Sequence, residues 1–179
     1  GTQSKFIVNK FNLYQLSTGD LLRNEIKNNT QLGSEISSII NSGELVSDEI
    51  VNNLIEKFVS NDTYKHKIIF DGYPRTLIQA KNLDNLLKKY KQKIDIVLKL
   101  SVSLETVKKR ILERKTQEKR SDDNEDIAIK RYKTYEKSSQ PLIDYYKQSN
   151  LLKVVNGEAG ISEINTEISG LIDTIKGWL

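Results

Sequence analysis

Six arginines stand where a chain can present charge to a ligand: Arg23, Arg75, Arg110, Arg114, Arg120 and Arg131, each near an expected loop or helix end. Arg75 and Gln79 are four residues apart in FDGYPRTLIQ, so a helix starting there puts both on one face. A guanidinium can grip a phosphate through two parallel hydrogen bonds. A Gln amide can pair with the donor–acceptor edge of a base such as adenine. The alternative for this pair is a surface Arg and a surface Gln. Arg110 and Arg114 share a helix face, where like charges repel unless an anion lies between them. Arg23 follows the cap types of STGDLLR by one turn, and helix N-termini favour anions. Asp122 and Asp123 lie between Arg120 and Arg131; they suit the first turn of a helix, or pairing with either Arg. This many arginines, with no nucleophile–base triad, suits a polyphosphate ligand.

The elements that must position these groups are legible in the periodicity. HKIIF reads as a strand that ends at Asp71, with Gly72 and Pro74 stopping it. A carboxylate at that end is expensive to bury unless something pairs with it. In open α/β sheets, ligands bind outside the carboxyl ends of the strands. Short strands are expected at 13–16, 67–71 and 151–155, and a near-continuous apolar strand buried on both faces at 94–100. Helices are expected over 2–11, from 17–20 through LLRNEIK, and over 32–41, 49–59, 76–90, 104–114 and 161–176. A further long helix over 127–147 should be interrupted near Pro141. The polar run 115–126 reads as an exposed loop. Strands alternating with helices argue a parallel sheet with crossover helices.

Composition bounds the rest. The 179 residues, 37% hydrophobic, fit one domain with a real core. A net charge of +4 suits a phosphate-bearing ligand and is too weak to argue for nucleic acid. There is no Cys, hence no disulfide framework and no Cys-based zinc site. The single His66, between two lysines, reads as a surface residue. No apolar run approaches the ~18 residues of a membrane helix, and no signal peptide is visible, so a soluble cytoplasmic protein is expected.

Taken together, these segments resemble the adenylate kinases. FDGYPRTLIQ is similar to that family's Asp-Gly-aromatic-Pro-Arg signature with its downstream Gln, and STGDLLR to its monophosphate-binding segment. RKTQEKRSDDNED through Arg131 is similar to the short form of its lid, and Pro141 with Tyr145-Tyr146 also falls in place. The resemblance runs the length of the chain. It implies a P-loop kinase-type three-layer α/β fold with a parallel five-stranded sheet, a helical AMP-binding subdomain over 17–46 and a lid over 115–130, all one domain.

It also implies the reaction: reversible phosphoryl transfer from Mg-ATP to AMP, giving two ADP, by a monomer. Thr18, Arg23, Val46, Gly72, Arg75 and Gln79 would contact AMP. Arg110, Arg114, Arg120 and Arg131 would grip phosphates, with Arg75 and Asp71 in the catalytic set. Asp71 would hold Mg2+ through water. Gly1, Thr2, Arg110, Arg114, Gly157 and Ala159 would lie on the ATP side, and Asp122 and Asp123 would stabilise the closed lid. Related UMP/CMP kinases tend to carry Ala and Asn where Thr18 and Gln79 stand, which favours AMP here. The lid lacks the long insert with four Cys/His ligands of some bacterial members, so structural zinc is not expected.

One departure stands out. The family opens on an apolar strand and a Gly-rich P-loop ending Gly-Lys-Gly-Thr-Gln, of which Gly1-Thr2-Gln3 match only the tail. The loop's N–H groups and its Lys serve the ATP phosphates. The expectation is therefore that about a dozen residues, one strand plus a loop, stand before Gly1 in an intact enzyme. The alternative reading is a truncated, non-catalytic nucleotide-binding fragment.

Overall fold

The computed structural model of the chain describes residues 1–42, 44–118 and 124–176, with side chains described for these except 114–118 and 176. The order is α1 (Thr2–Phe11), β1 (Tyr14–Ser17), α2 (Thr18–Lys27), α3 (Gln31–Asn41), α4 (Asp48–Val59), a 3-10 turn (Asp62–Tyr64), β2 (Ile68–Asp71), α5 (Leu77–Lys89), β3 (Val97–Ser101), α6 (Leu104–Glu118), α7 (Glu125–Gln148), β4 (Leu152–Asn156) and α8 (Ile161–Lys176). It is an α/β fold, mostly helix, with parallel strands.

Pairing of the strands fixes what stands at their carboxyl ends. β1 pairs with β2 from Tyr14↔Ile68 to Ser17↔Asp71, so the first residue of α2, Thr18, falls beside Gly72. β3 pairs with β4 from Val97↔Leu152 to Ser101↔Asn156, which sets Gly157 against the end of β3. Instead of the single five-stranded sheet expected, the described residues form two separate two-stranded ladders. The halves are joined by packing. Ile7 and Phe11 of α1 and Ile164 and Ile168 of α8 are buried together with Val155, and Ile69 of β2 and Leu98 of β3 pack on that cluster. On the other face, Leu16, Leu22, Ile36, Val46, Val51, Ile55, Val59, Tyr73, Leu83 and Leu87 form the second core.

Other boundaries differ for local reasons. The strand expected over 94–100 begins only at Val97, and it is not buried on both faces: Val97, Leu98 and Lys99 are half-buried, while Leu100 and Ser101 are exposed. Among the described residues β3 has a ladder partner on one side only, so its apolar run is less enclosed than a central strand would be. α6 continues to Glu118 and α7 starts at Glu125, which narrows the expected loop at 115–126 from both ends. α7 passes through Pro141 without ending. Proline removes one N–H, and its fixed φ is itself helical; the buried Ala128, Ser139 and Tyr146 anchor the helix on both sides of it. The two helices after β1 pack closely because position 33 is Gly: a Cβ there would lie 2.2 Å from the Glu25 carbonyl oxygen.

Candidate active site

Chemistry-bearing residues gather where β1 and β2 end. Asp71 closes β2, and its Oδ2 accepts from Gln15 Nε2 at 2.7 Å and Ser4 Oγ at 2.8 Å, with the Gly1 nitrogen at 3.1 Å. Burial pushes this carboxyl up, but the Ser4 and Gln15 hydrogen bonds are among the interactions that outweigh it, so it stays below the ordinary carboxylate range. The three donors fall on one oxygen; no hydrogen bond within the described residues falls on Oδ1. Among the described residues, no group of three His, Cys, Asp or Glu could hold a metal. A single carboxylate with a free oxygen fits magnesium, which keeps several waters and takes other ligands from substrate phosphates.

Gly72 follows with φ +75°, a left-handed conformation that a side chain disfavours. Its carbonyl accepts from Arg75 Nε at 2.7 Å and from Thr18 Oγ1 at 3.2 Å. A Cβ at Gly72 would sit 3.2 Å from Arg75 Nη2. The loop therefore holds the Arg75 guanidinium by its Nε edge and leaves Nη1 and Nη2 without a hydrogen bond in the described residues. That is the pair of donors a phosphate or carboxylate takes bidentately.

Three of the six arginines, Arg75, Arg131 and Arg23, are brought within electrostatic reach of one another. The protein surrounding Arg75 withdraws water from its guanidinium, and the charges of Arg131 and Arg23 add to this, so its basicity is lowered even though the side chain keeps access to solvent. Arg23, one turn into α2, donates to Asp20 at 2.5 Å and lies over Gly19, whose Cβ would be 3.0 Å from Nη2. Arg131 comes from α7, which Lys130 ties to Glu44, beyond α3, at 3.0 Å. Three cations, from the β2–α5 loop, α2 and α7, that feel one another's charge favour an anion among them.

Gln79, in the first turn of α5, is buried at 3% exposure. Its Oε1 accepts the Arg75 backbone N–H at 2.7 Å, and its Nε2 donates to Asp48 Oδ1 at 2.7 Å. Thr76 caps the same helix, its hydroxyl accepting the Gln79 N–H at 3.2 Å. Thr18 and Val46 are buried at 6% exposure each. Tyr73, between Gly72 and the cis Tyr73–Pro74 bond, places its hydroxyl 2.8 Å from Asn52 Oδ1 and 3.3 Å from the Gln79 carbonyl.

A second group forms where β3 and β4 end. Arg110 of α6 donates through Nη2 to the Gly157 carbonyl at 2.7 Å. Gly157 has no room for a side chain, since a Cβ would be 2.5 Å from Val102 Cγ1 and 2.9 Å from the Ser101 carbonyl. Glu158 binds the first turn of α6, accepting from the Ser103 N–H at 2.5 Å and from the Thr106 hydroxyl. The Thr106 and Ser103 bonds hold its carboxyl below the ordinary range. A carboxylate at a helix N-terminus also complements the dipole. The half-buried Ala159 follows in the same turn.

Gly1 and Thr2 lie at the start of α1, exposed. Arg114 belongs to α6, but its side chain lies outside the described ones; Arg120, Asp122 and Asp123 lie outside the described residues altogether. Sequence reasoning missed Ser4, Gln15, Asp48 and Glu158. Asp48 reads in sequence only as a helix-start residue, and the other three carry no local signal, because their partners are 52 to 67 positions away.

The adenylate kinase family model matches residues 1–151. An adenylate kinase of Pelagibacter ubique is 38% identical over 96% of this chain and 93% of its own length. Those of Leptospira biflexa and Methanothrix thermoacetophila are 40% and 35% identical, over 94% and 98% of this chain and 90% and 94% of theirs. Identity at that level over nearly the whole of both chains, with the family model matching most of this one, is agreement in lineage: this chain belongs to the adenylate kinase family.

Proposed function

We propose that the chain takes part in reversible transfer of the γ-phosphoryl group of Mg-ATP to AMP, giving two ADP. The observation that carries this reading is the Gly72–Arg75 loop. It aims an open guanidinium fork at the place where Arg23 and Arg131 also concentrate charge, one helical turn from the buried Gln79 amide.

In this reading the chain spanning 17–46 forms the AMP subdomain, with Thr18, Arg23 and Val46 from it and Gly72, Arg75 and Gln79 from the core around AMP. The AMP phosphate oxygen is the nucleophile, so no protein nucleophile is needed; positioning and charge neutralisation do the work. Arg75 and Arg23 hold the acceptor phosphate, and Arg110, Arg114, Arg120 and Arg131 neutralise the transferring group. Gly1, Thr2, Gly157 and Ala159 belong to the ATP side. Asp71 would hold Mg2+ through water, and the ion would supply positive charge that offsets the negative charge of the phosphates. The lid at 115–130, with Asp122 and Asp123, excludes water so that ATP is transferred and not hydrolysed.

The test is ADP formation from Mg-ATP and AMP by this chain, with UMP and CMP as comparators. ADP from AMP in preference to UMP and CMP supports the reading. Equal use of UMP or CMP would overturn the base assignment. AMP binding with no ADP formed, and none restored when a strand and P-loop are added in front of Gly1, would leave the non-catalytic nucleotide-binding alternative as the correct one.

A further inference from the structure

We propose that Asp48 is a positioning residue: by fixing which way round the Gln79 carboxamide stands, it makes the site select a 6-amino purine over a 6-oxo purine. The inference rests on Gln79 as the base-contacting side chain.

A carboxamide turned by 180° has almost the same shape, with its donor and acceptor exchanged. Orientation must therefore come from partners that cannot exchange roles. Gln79 has two such partners. The Arg75 backbone N–H only donates, and it meets Oε1 at 2.7 Å. An ionised carboxylate only accepts, and Asp48 Oδ1 meets Nε2 at 2.7 Å. A flipped amide would set its carbonyl against a carboxylate and its NH2 against an N–H, in a site where Gln79 is 3% exposed. Both bonds would become repulsions away from bulk water.

What the locked amide still has is one N–H and one oxygen lone pair. Adenine offers an N6–H donor beside the N1 acceptor. A 6-oxo purine offers the reverse order, an O6 acceptor beside an N1–H donor. An amide held one way round matches only the first order, and an amide free to flip matches either. Asp48 itself is held by its place as the first residue of α4. That helix is anchored by the buried Val51, Ile55 and Val59, and Tyr73 ties it to the Arg75 loop through Asn52.

Asp48→Asn keeps the shape and removes one of the two one-way partners, because an Asn amide can donate or accept; the Arg75 N–H alone then holds the orientation. The experiment is calorimetric titration of the unaltered chain, Asp48→Asn and Glu49→Gln with AMP, inosine monophosphate and ribose 5-phosphate. Glu49 is the neighbouring first-turn acid of α4 and controls for helix-dipole effects. Asp48→Asn should reduce the AMP-to-inosine-monophosphate affinity ratio about tenfold, the equivalent of one net hydrogen bond. Ribose 5-phosphate affinity should stay within about twofold, and Glu49→Gln should keep the ratio. An unchanged ratio in Asp48→Asn, or an equal loss for all three ligands, would overturn the inference. If the unaltered chain bound AMP no tighter than ribose 5-phosphate, the base-contact reading of Gln79 would fail first, a different result. A measurement on the unaltered chain guards against a variant that does not fold: one Gln79 side-chain amide proton should exchange slowly with solvent, and two rapidly exchanging protons would refute the lock.

Discussion

Arg75 donates through Nε to the carbonyl of Gly72, three residues earlier, at 2.7 Å. That one bond turns a flexible side chain into a fixed fork, and it exists because the Gly72 backbone takes a φ of +75° that directs its carbonyl inward to meet both Arg75 and Thr18.

Gly72→Ala should therefore act twice. A Cβ in the left-handed region costs roughly 1–2 kcal/mol, and at 3.2 Å from Arg75 Nη2 it also pushes on the guanidinium. The expected outcome is a lower melting temperature together with weakened AMP affinity. A variant with lower stability and unaltered AMP affinity would show that the fork is not set by this loop.

Arg75→Ala should remove about 3 kcal/mol of transition-state stabilisation, comparable to losing one preorganised donor. Arg75→Lys should recover little, because an ammonium cannot reproduce both the Nε bond and the bidentate fork. Steady-state turnover and AMP affinity measured on both variants decide this; values within about threefold of the unaltered chain would contradict the assigned role.

The Asp71 carboxyl lies below its ordinary value of 3.8 in the folded chain. Its contribution to stability is thus complete above that value and is lost as pH falls through the lower, folded one. Thermal melts taken from pH 5 downward should show a falling melting temperature, and Asp71→Asn should make that fall shallower. A profile identical in the two chains would remove Asp71 from the account of acid stability.

Gly33→Ala probes the α2–α3 contact. Its Cβ would lie 2.2 Å from a backbone oxygen and 2.7 Å from the Ile26 nitrogen, so the helices themselves must separate. The expected loss is about 1–3 kcal/mol, read as a drop of several degrees in melting temperature. The change should be larger than for Ser34→Ala, at an exposed position of the same helix.

Much of this was decided by the sequence alone. Turn residues and apolar spacing marked where β2 stops and α5 starts, since Gly72 and Pro74 act within a few residues and Arg75 and Gln79 share a face by helical geometry alone. An anion-binding role for the arginines was also a natural expectation from the sequence, because a guanidinium has few uses other than binding anions or carboxylates. Local pattern could not tell which distant partner each polar group would find. Asp48 carries the same signal as any helix-start acid, and only the packing of α4 beside α5 puts it on Gln79 Nε2. Ser4 and Gln15 meet at Asp71 because α1 and β1 flank β2, and Glu158 reaches α6 because β3 and β4 run in register. The enclosure of β3 was misread for the same reason. Apolar content says that a strand can be buried on both faces, but the neighbours it acquires in the fold determine whether it is.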